Sequence, residues 1–163
     1  MKNTKNLLLI ALTFSIMINS IVYSYDISTE YSIKAKLTDD LIAFEVEFSK
    51  FGYVGLCFGN TMTNTDMILV QLNEDDTFSV LDTWSTRHRR PTEDTKIGGT
   101  NDIKKPKLLK KAGLSIITFE RKINTEDQYD SVIELSKSNE ISLAWLPENA
   151  ISYHDQNLKF LFC

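Results

Sequence analysis

The segment LIAFEVEFSK, residues 41–50, alternates apolar and polar side chains with a period of two residues. Ile42, Phe44, Val46 and Phe48 fall on one face, and small or charged residues fall on the other. A strand with one buried face and one wet face has this pattern, whereas an α-helix has a period of 3.6 residues. The segment therefore predicts a half-buried β-strand.

Shorter apolar runs recur along the rest of the chain. They predict further strands at residues 33–37, 53–58, 67–72, 77–83, 114–121, 140–146 and 158–162. Acidic clusters at 38–40 and 73–76 are typical of the turns between them. Residues 85–112 are polar and predict a long loop with at most one short strand, and 124–135 could hold a helical turn. Short strands with frequent turns predict an all-β antiparallel β-sandwich.

The first 24 residues have the composition of a secretory signal peptide. Lys2 and Lys5 precede an apolar run at 7–18, and Val22 and Ser24 occupy the −3 and −1 positions of a cleavage site after Ser24. The alternative is an uncleaved anchor, but the apolar run is shorter than the ~20 residues that span a bilayer. We therefore expect a signal peptide at 1–24, a single domain at 25–163, and a secreted, extracellular or lumenal location.

The net charge of the chain limits the kinds of partner that it is expected to bind. Without the two leader lysines the chain has 16 basic and 22 acidic residues, a net charge of −6. An acidic chain is not expected to bind nucleic acid through general electrostatics. Outside the leader, no apolar stretch reaches spanning length, so the sequence predicts no membrane span in the mature chain.

The chain has two cysteines, Cys57 and Cys163. An exported protein with an even number of cysteines can form a disulfide, but Cys57 lies in an apolar predicted strand, where a buried free thiol is equally common. Both alternatives remain open from the sequence.

Five segments, in this order, resemble the DOMON domain family over about residues 30–162. They are GYVGLCFGNTMTNTDMILV (52–70), VLDTWS (80–85), RRPTEDTKIGGTNDI (89–103), ITFERKINTEDQYD (117–130) and ISLAWLPENAISYHDQN (141–157). The resemblance implies an immunoglobulin-like β-sandwich that is secreted or faces the outside of the cell.

The resemblance also implies a cofactor. Cytochrome-type members of the family hold one b-type haem between a methionine, in the loop after the strand that corresponds to 53–58, and a histidine before the last strand. Met62 and His154 occupy these positions here and are the predicted cofactor-binding and metal-binding residues, with Met67 as the fallback for Met62. If the adjoining strands run antiparallel and lie close together, both residues fall at the same end of the sandwich. Asp66 is expected to fix the methionine loop through bonds to its N–H groups.

Five aromatic side chains could line a haem slot. They are Tyr53, Phe58, Trp84, Trp145 and Tyr153. Because the chain lacks C-x-x-C-H, a haem would be held without covalent bonds.

A His/Met pair fills both axial positions of haem iron, which suits electron transfer. The predicted function is therefore a haem b electron-transfer module with an unidentified redox partner. Taken alone, a loop methionine more often fills a packing gap, and a histidine more often lies at the surface. The alternative is a haem-free extracellular module that binds a carbohydrate, an aromatic amine or a protein. Two histidines and no HExxH motif give little support for catalysis.

Overall fold

A computed structural model describes residues 21–87, 89–134, 136, 139–147 and 157–162. Of Ile21 and residues 157–162, only the backbone is described. Within these ranges there is no α-helix, and the one short 3-10 helix is Asp94–Lys96. The strands are β1 Ile21–Asp26, β2 Tyr31–Leu37, β3 Leu41–Phe48, β4 Gly52–Cys57, β5 Thr65–Leu72, β6 Phe78–Ser85, β7 Thr92–Glu93, β8 Lys104–Lys111, β9 Leu114–Lys122, β10 Asn139–Leu146 and β11 Asn157–Phe162.

The strands form two sheets in which all described pairs are antiparallel. One sheet has five strands in the order β1-β2-β3-β9-β8, and the other has six in the order β11-β10-β4-β5-β6-β7. Their inward faces share one apolar core. The predicted all-β antiparallel sandwich is therefore confirmed.

The two sheets differ in how far their outward faces are exposed to solvent. In the five-stranded sheet, β2 and β3 alternate between buried and partly exposed residues, as the sequence predicts. In the six-stranded sheet, every residue of β4 is buried, and so is every residue of β5 except Gln71. A sandwich sheet normally keeps one face wet. The central strands of the six-stranded sheet are instead apolar on both faces.

Two secondary-structure predictions are wrong in part. The region 85–112 holds β7, the 3-10 helix and the eight-residue strand β8. Nearly all β8 side chains are exposed, so the strand carries no apolar alternation that a sequence pattern could reveal. Residues 124–134 contain no helix, because the Asp127 side chain accepts the Tyr129 N–H and forms a local turn instead.

Strand β1 spans the predicted cleavage point after Ser24. Its residues pair with β2 from Ile21↔Leu37 to Asp26↔Ser32. The signal peptide and the 25–163 domain boundary remain predictions. Among the described residues, no helix is long and apolar enough to cross a membrane.

We predict that Gly52→Ala destabilises the fold strongly. Gly52 has φ +146°, and a Cβ there would lie 2.3 Å from the Leu146 carbonyl oxygen and 2.5 Å from the Tyr31 hydroxyl oxygen. Backbone strain and overpacking together should lower the free energy of unfolding by about 3 kcal/mol. Urea denaturation measures this change. Gly113→Ala is the matched control: its φ is +82° but nothing lies within 4 Å of a Cβ, so only about 1 kcal/mol should be lost.

Candidate functional site

The outward face of the six-stranded sheet carries a small apolar cluster. Cys57, Met67 and Leu69 are 4%, 2% and 3% exposed, and Met62 and Leu81 pack against them. The register explains why these side chains meet: Cys57 pairs with Met67, and the next outward row pairs Gly55 with Leu69 and Leu69 with Leu81. Two sulfur-containing side chains, a thiol and a thioether, thus lie beneath the Met62 loop.

The loop 58–64, which carries Met62, is fixed by hydrogen bonds from four strands of this sheet. The Ser85 hydroxyl donates to the Met62 carbonyl at 2.5 Å, and the Ser142 hydroxyl donates to the Gly59 carbonyl at 2.6 Å. The Cys57 thiol donates to the Thr61 carbonyl at 3.1 Å. The Thr65 hydroxyl donates to the Phe58 carbonyl at 3.2 Å. Hydrogen bonds to the backbone carbonyls of the loop therefore hold Met62 against the apolar cluster. None of these bonds involves its thioether.

Burial raises the pKa of the Cys57 thiol. The side chain is thus a protonated donor at neutral pH, consistent with its bond to the Thr61 carbonyl. Cys57 is a free thiol in the structure, and Cys163 lies outside the described residues.

His154 also lies outside the described residues, so its prediction as a ligand remains untested. The condition under which both ligand positions would fall at the same end of the sandwich, antiparallel adjoining strands, is not met. Strands β4 and β11 are both antiparallel to β10 and therefore run the same way. The Met62 loop leaves the sheet after Cys57, whereas β10 ends at Leu146, which pairs with Tyr53 at the other end of β4.

The predicted aromatic lining is dispersed. Tyr53 lies on the outward face, in the row of Gln71 and Leu146. Trp145 belongs to the core between the sheets, and Phe58 packs against that core. Trp84 contacts Tyr129 with ring centroids 5.7 Å apart. Tyr153 is outside the described residues.

A second constellation lies between the sheets, at the end of the sandwich that carries the Met62 loop. The guanidinium of Arg121 is fully buried, with Nη1 2.7 Å from Asp66 Oδ2 and Nε 3.8 Å from Asp130 Oδ2. The Ser131 N–H also donates to Asp66 Oδ2, and the Asp102 N–H donates to Asp82 Oδ2 at 2.7 Å. Asp94, also fully buried, completes a group of four carboxylates. We call Arg121 with Asp66, Asp82, Asp94 and Asp130 the carboxylate cluster.

Each member of the carboxylate cluster has a shifted pKa. Burial raises the pKa of Asp66 to about 6 and that of Asp82 to about 7. Burial and then repulsion by Asp82 raise the pKa of Asp94 to about 8, and burial raises that of Asp130. Burial opposes the positive charge of Arg121, but the nearby carboxylates outweigh it and raise the guanidinium pKa. One cation thus faces four acids whose charged forms are disfavoured.

The structure corrects the predicted role of Asp66. Its carboxylate points inward to Arg121 and the Ser131 N–H, not to N–H groups of the Met62 loop. The carboxylate cluster was not predicted from the sequence. A usable signal exists in ITFERK, where Ile117, Phe119 and Arg121 alternate on the inward face, so that an arginine occupies a core position.

A family model for the DOMON domain matches residues 27–146. The chain belongs to the DOMON family. Among solved structures it is similar to the cytochrome domain of Myriococcum thermophilum cellobiose dehydrogenase, with a TM-score of 0.59 and 14% identity over 88% of this chain and 80% of that one. It is also similar to the cytochrome b domain of pyranose dehydrogenase from Coprinopsis cinerea, with a TM-score of 0.52 and 12% identity over 81% and 75% of the two chains. No curated protein matches the chain.

We predict that, in buffer containing EDTA, the free energy of unfolding falls as the pH rises from about 5 to 8. The unfolded carboxyl groups titrate near ~3.9, whereas Asp66, Asp82 and Asp94 in the folded chain titrate at about 6, 7 and 8. Between these values the folded state binds more protons, so raising the pH removes stability. Urea denaturation at pH 5 and pH 8 measures the loss.

Asp82→Asn should reduce this difference, and Asp39→Asn, at an exposed hairpin position, should leave it unchanged. A profile that is flat between pH 5 and 8 would contradict the assignment of these protons to the carboxylate cluster.

Proposed function

We propose that this DOMON domain is a b-type cytochrome module that binds haem b without covalent bonds and carries one electron at a time. The observation that supports this most strongly is the outward apolar cluster of the six-stranded sheet, which has a methionine loop packed on its edge. A non-covalently bound porphyrin needs an apolar surface of this kind together with axial ligands.

We propose Met62 and His154 as the two axial ligands. Met62 already packs on the apolar cluster. His154 precedes β11 by three residues, so its Cα lies within about 11 Å of that of Asn157. Asn157 pairs with Ala144, which pairs with Gly55 in the middle of the outward face. The chain is therefore long enough for the His154 imidazole and the Met62 thioether to serve one haem, although β4 and β11 run in the same direction.

Haem would supply a one-electron redox centre, held by the Met62 thioether and the His154 imidazole, a ligand pair that would favour the ferrous state. The chain's own residues suit such a group. Leu69 and Leu81 present hydrocarbon that excludes water. The Cys57 thiol stays protonated in its bond to the Thr61 carbonyl and does not compete as a thiolate ligand.

We also propose that the domain works outside the cytoplasm with a redox partner. The leader composition of residues 1–24 supports export. The partner remains unidentified. At 12–14% identity, the two cytochrome domains resemble this chain in fold alone.

A haem-free binding or contact module is the second candidate. The observation in its favour is that packing within the chain already excludes Cys57, Met67 and Leu69 almost completely from solvent. A face that is packed in this way does not require a cofactor for its stability.

We predict that the purified chain takes up one haem from added haemin and shows a low-spin spectrum whose Soret band shifts on reduction. Met62→Leu and His154→Ala should each abolish the low-spin spectrum, because each removes one axial ligand. The chain offers matched controls: Met67→Leu and His88→Ala make the same changes at positions with no proposed bond to iron, and should retain the spectrum. Absorption spectra of the five proteins in both redox states measure this.

Loss of the low-spin spectrum in Met67→Leu but not in Met62→Leu would show that Met67, and not Met62, supplies the sulfur ligand. A chain that folds but binds no haem would exclude the cytochrome function and leave the haem-free module.

A further inference from the structure

We propose that the carboxylate cluster binds a divalent cation, Ca²⁺, through Asp66, Asp82 and Asp130. One carboxylate oxygen from each of these residues lies within 4.8 Å of the others. Two oxygens on opposite sides of a calcium ion are separated by about 4.6–5.2 Å, because each lies at 2.3–2.6 Å from the ion. The three oxygens are thus close enough together to coordinate the same ion. This site is independent of the proposed haem site.

The free oxygens of the cluster support this assignment. Asp66 and Asp82 each use Oδ2 to accept hydrogen bonds, from Arg121 and Ser131 in the first case and from the Asp102 N–H in the second. Their Oδ1 atoms are buried and have no hydrogen-bond partner among the described residues. Each side chain is therefore oriented by one oxygen and leaves the other available to a metal ion.

Asp94 is a second observation that points to a cation. Its side chain is fully buried, and neither carboxylate oxygen has a hydrogen-bond partner within the described part of the chain. Electrostatic repulsion from Asp82, Asp130 and Asp66 acts on it, so it lies near the same three carboxylates. An unpaired buried carboxylate is costly unless a cation or a proton compensates it.

The count of charges leads to the same conclusion. With all four carboxylates ionised, the carboxylate cluster would carry a charge of −3, because its one guanidinium offsets only one of them. Arg121 is committed to Asp66 and to the Ser131 carbonyl, with its Nη2 2.6 Å from that oxygen. A divalent cation would bring the net charge to −1, whereas a second monovalent ion would leave −2.

The chemistry of the proposed ligands favours one metal ion over others. All three proposed ligands are carboxylates on different elements: Asp66 on β5, Asp82 on β6, and Asp130 in the segment that follows β9. Ca²⁺ accepts oxygen ligands in irregular geometry, while Mg²⁺ demands a regular octahedron and retains several waters. Zn²⁺ favours nitrogen and sulfur ligands, which are absent from this group. A buried all-carboxylate site fits Ca²⁺ best.

The test uses the purified full chain, freed of metal with EDTA and then equilibrated with Ca²⁺, Mg²⁺ or neither. We expect about one bound calcium per chain by elemental analysis. At a free calcium concentration 100 times the dissociation constant, Tm should rise by about 8 °C. The intrinsic fluorescence should also change, because Trp84 contacts Tyr129, the neighbour of Asp130. Mg²⁺ should have a much smaller effect on Tm.

Asp82→Asn and Asp94→Asn distinguish a metal site from a purely structural cluster. Asp82→Asn removes a ligand and should abolish both calcium binding and the rise in Tm. In EDTA it should melt no lower than the wild type, because it removes one unpaired buried charge. Asp94→Asn should weaken calcium binding at least tenfold by removing nearby negative charge. The exposed Asp39→Asn should bind calcium like the wild type.

The proposal is overturned if the wild-type chain binds no calcium and has the same Tm in calcium and in EDTA. Protons would then compensate the buried carboxylates. Calcium binding that survives in both Asp82→Asn and Asp94→Asn also overturns it, because the ion must then lie elsewhere.

Discussion

Strands β4 and β5 are buried on both faces, and the sandwich is organised around them. Successive side chains of a strand point to opposite faces, so GYVGLC and TDMILV supply one set to the inter-sheet core and another set to the outward face. The inward set explains why the sandwich holds together. The outward set, Cys57, Met67 and Leu69, is unnecessary for that purpose and would be polar in a sheet with a wet face. Its apolar character explains why a methionine loop is packed there.

The inter-sheet core does not end in apolar side chains at the Met62 end. It ends in Arg121 and four carboxylates, at positions where β5, β6 and β9 continue their inward alternation. A buried ion pair adds little net stability compared with hydrocarbon of the same volume. Its use here is structural specificity: Asp66 accepts the Ser131 N–H and Asp82 accepts the Asp102 N–H, which fastens two long connections to the end of the sheet. Several acids therefore lie close together in a small volume, where their charges repel one another.

The sequence predicts most of the fold because apolar alternation is a local property. It reveals β3 in full and the apolar runs of β4, β5 and β9, but it misses β8, whose KKPKLLKK side chains face solvent. The carboxylate cluster is harder to predict, because Asp66, Asp82, Asp94 and Asp130 come from separate parts of the chain. Only the pairing of the sheets brings them together. The relative direction of β4 and β11 is equally non-local, since nothing local in the sequence shows that β10 lies between them.

Two adjacent residues of β5 join the two faces of this sheet. Asp66 points into the carboxylate cluster and Met67 points into the outward apolar cluster. The loop that carries Met62 begins at Phe58, whose N–H donates to the Asp66 carbonyl at 3.0 Å and whose ring lies 4.6 Å from the Arg121 guanidinium. A change in the charge around Arg121 therefore acts directly on the first residue of the Met62 loop. Close-packed elements transmit small displacements, so Phe58 is the physical connection between the carboxylate cluster and the loop that carries Met62.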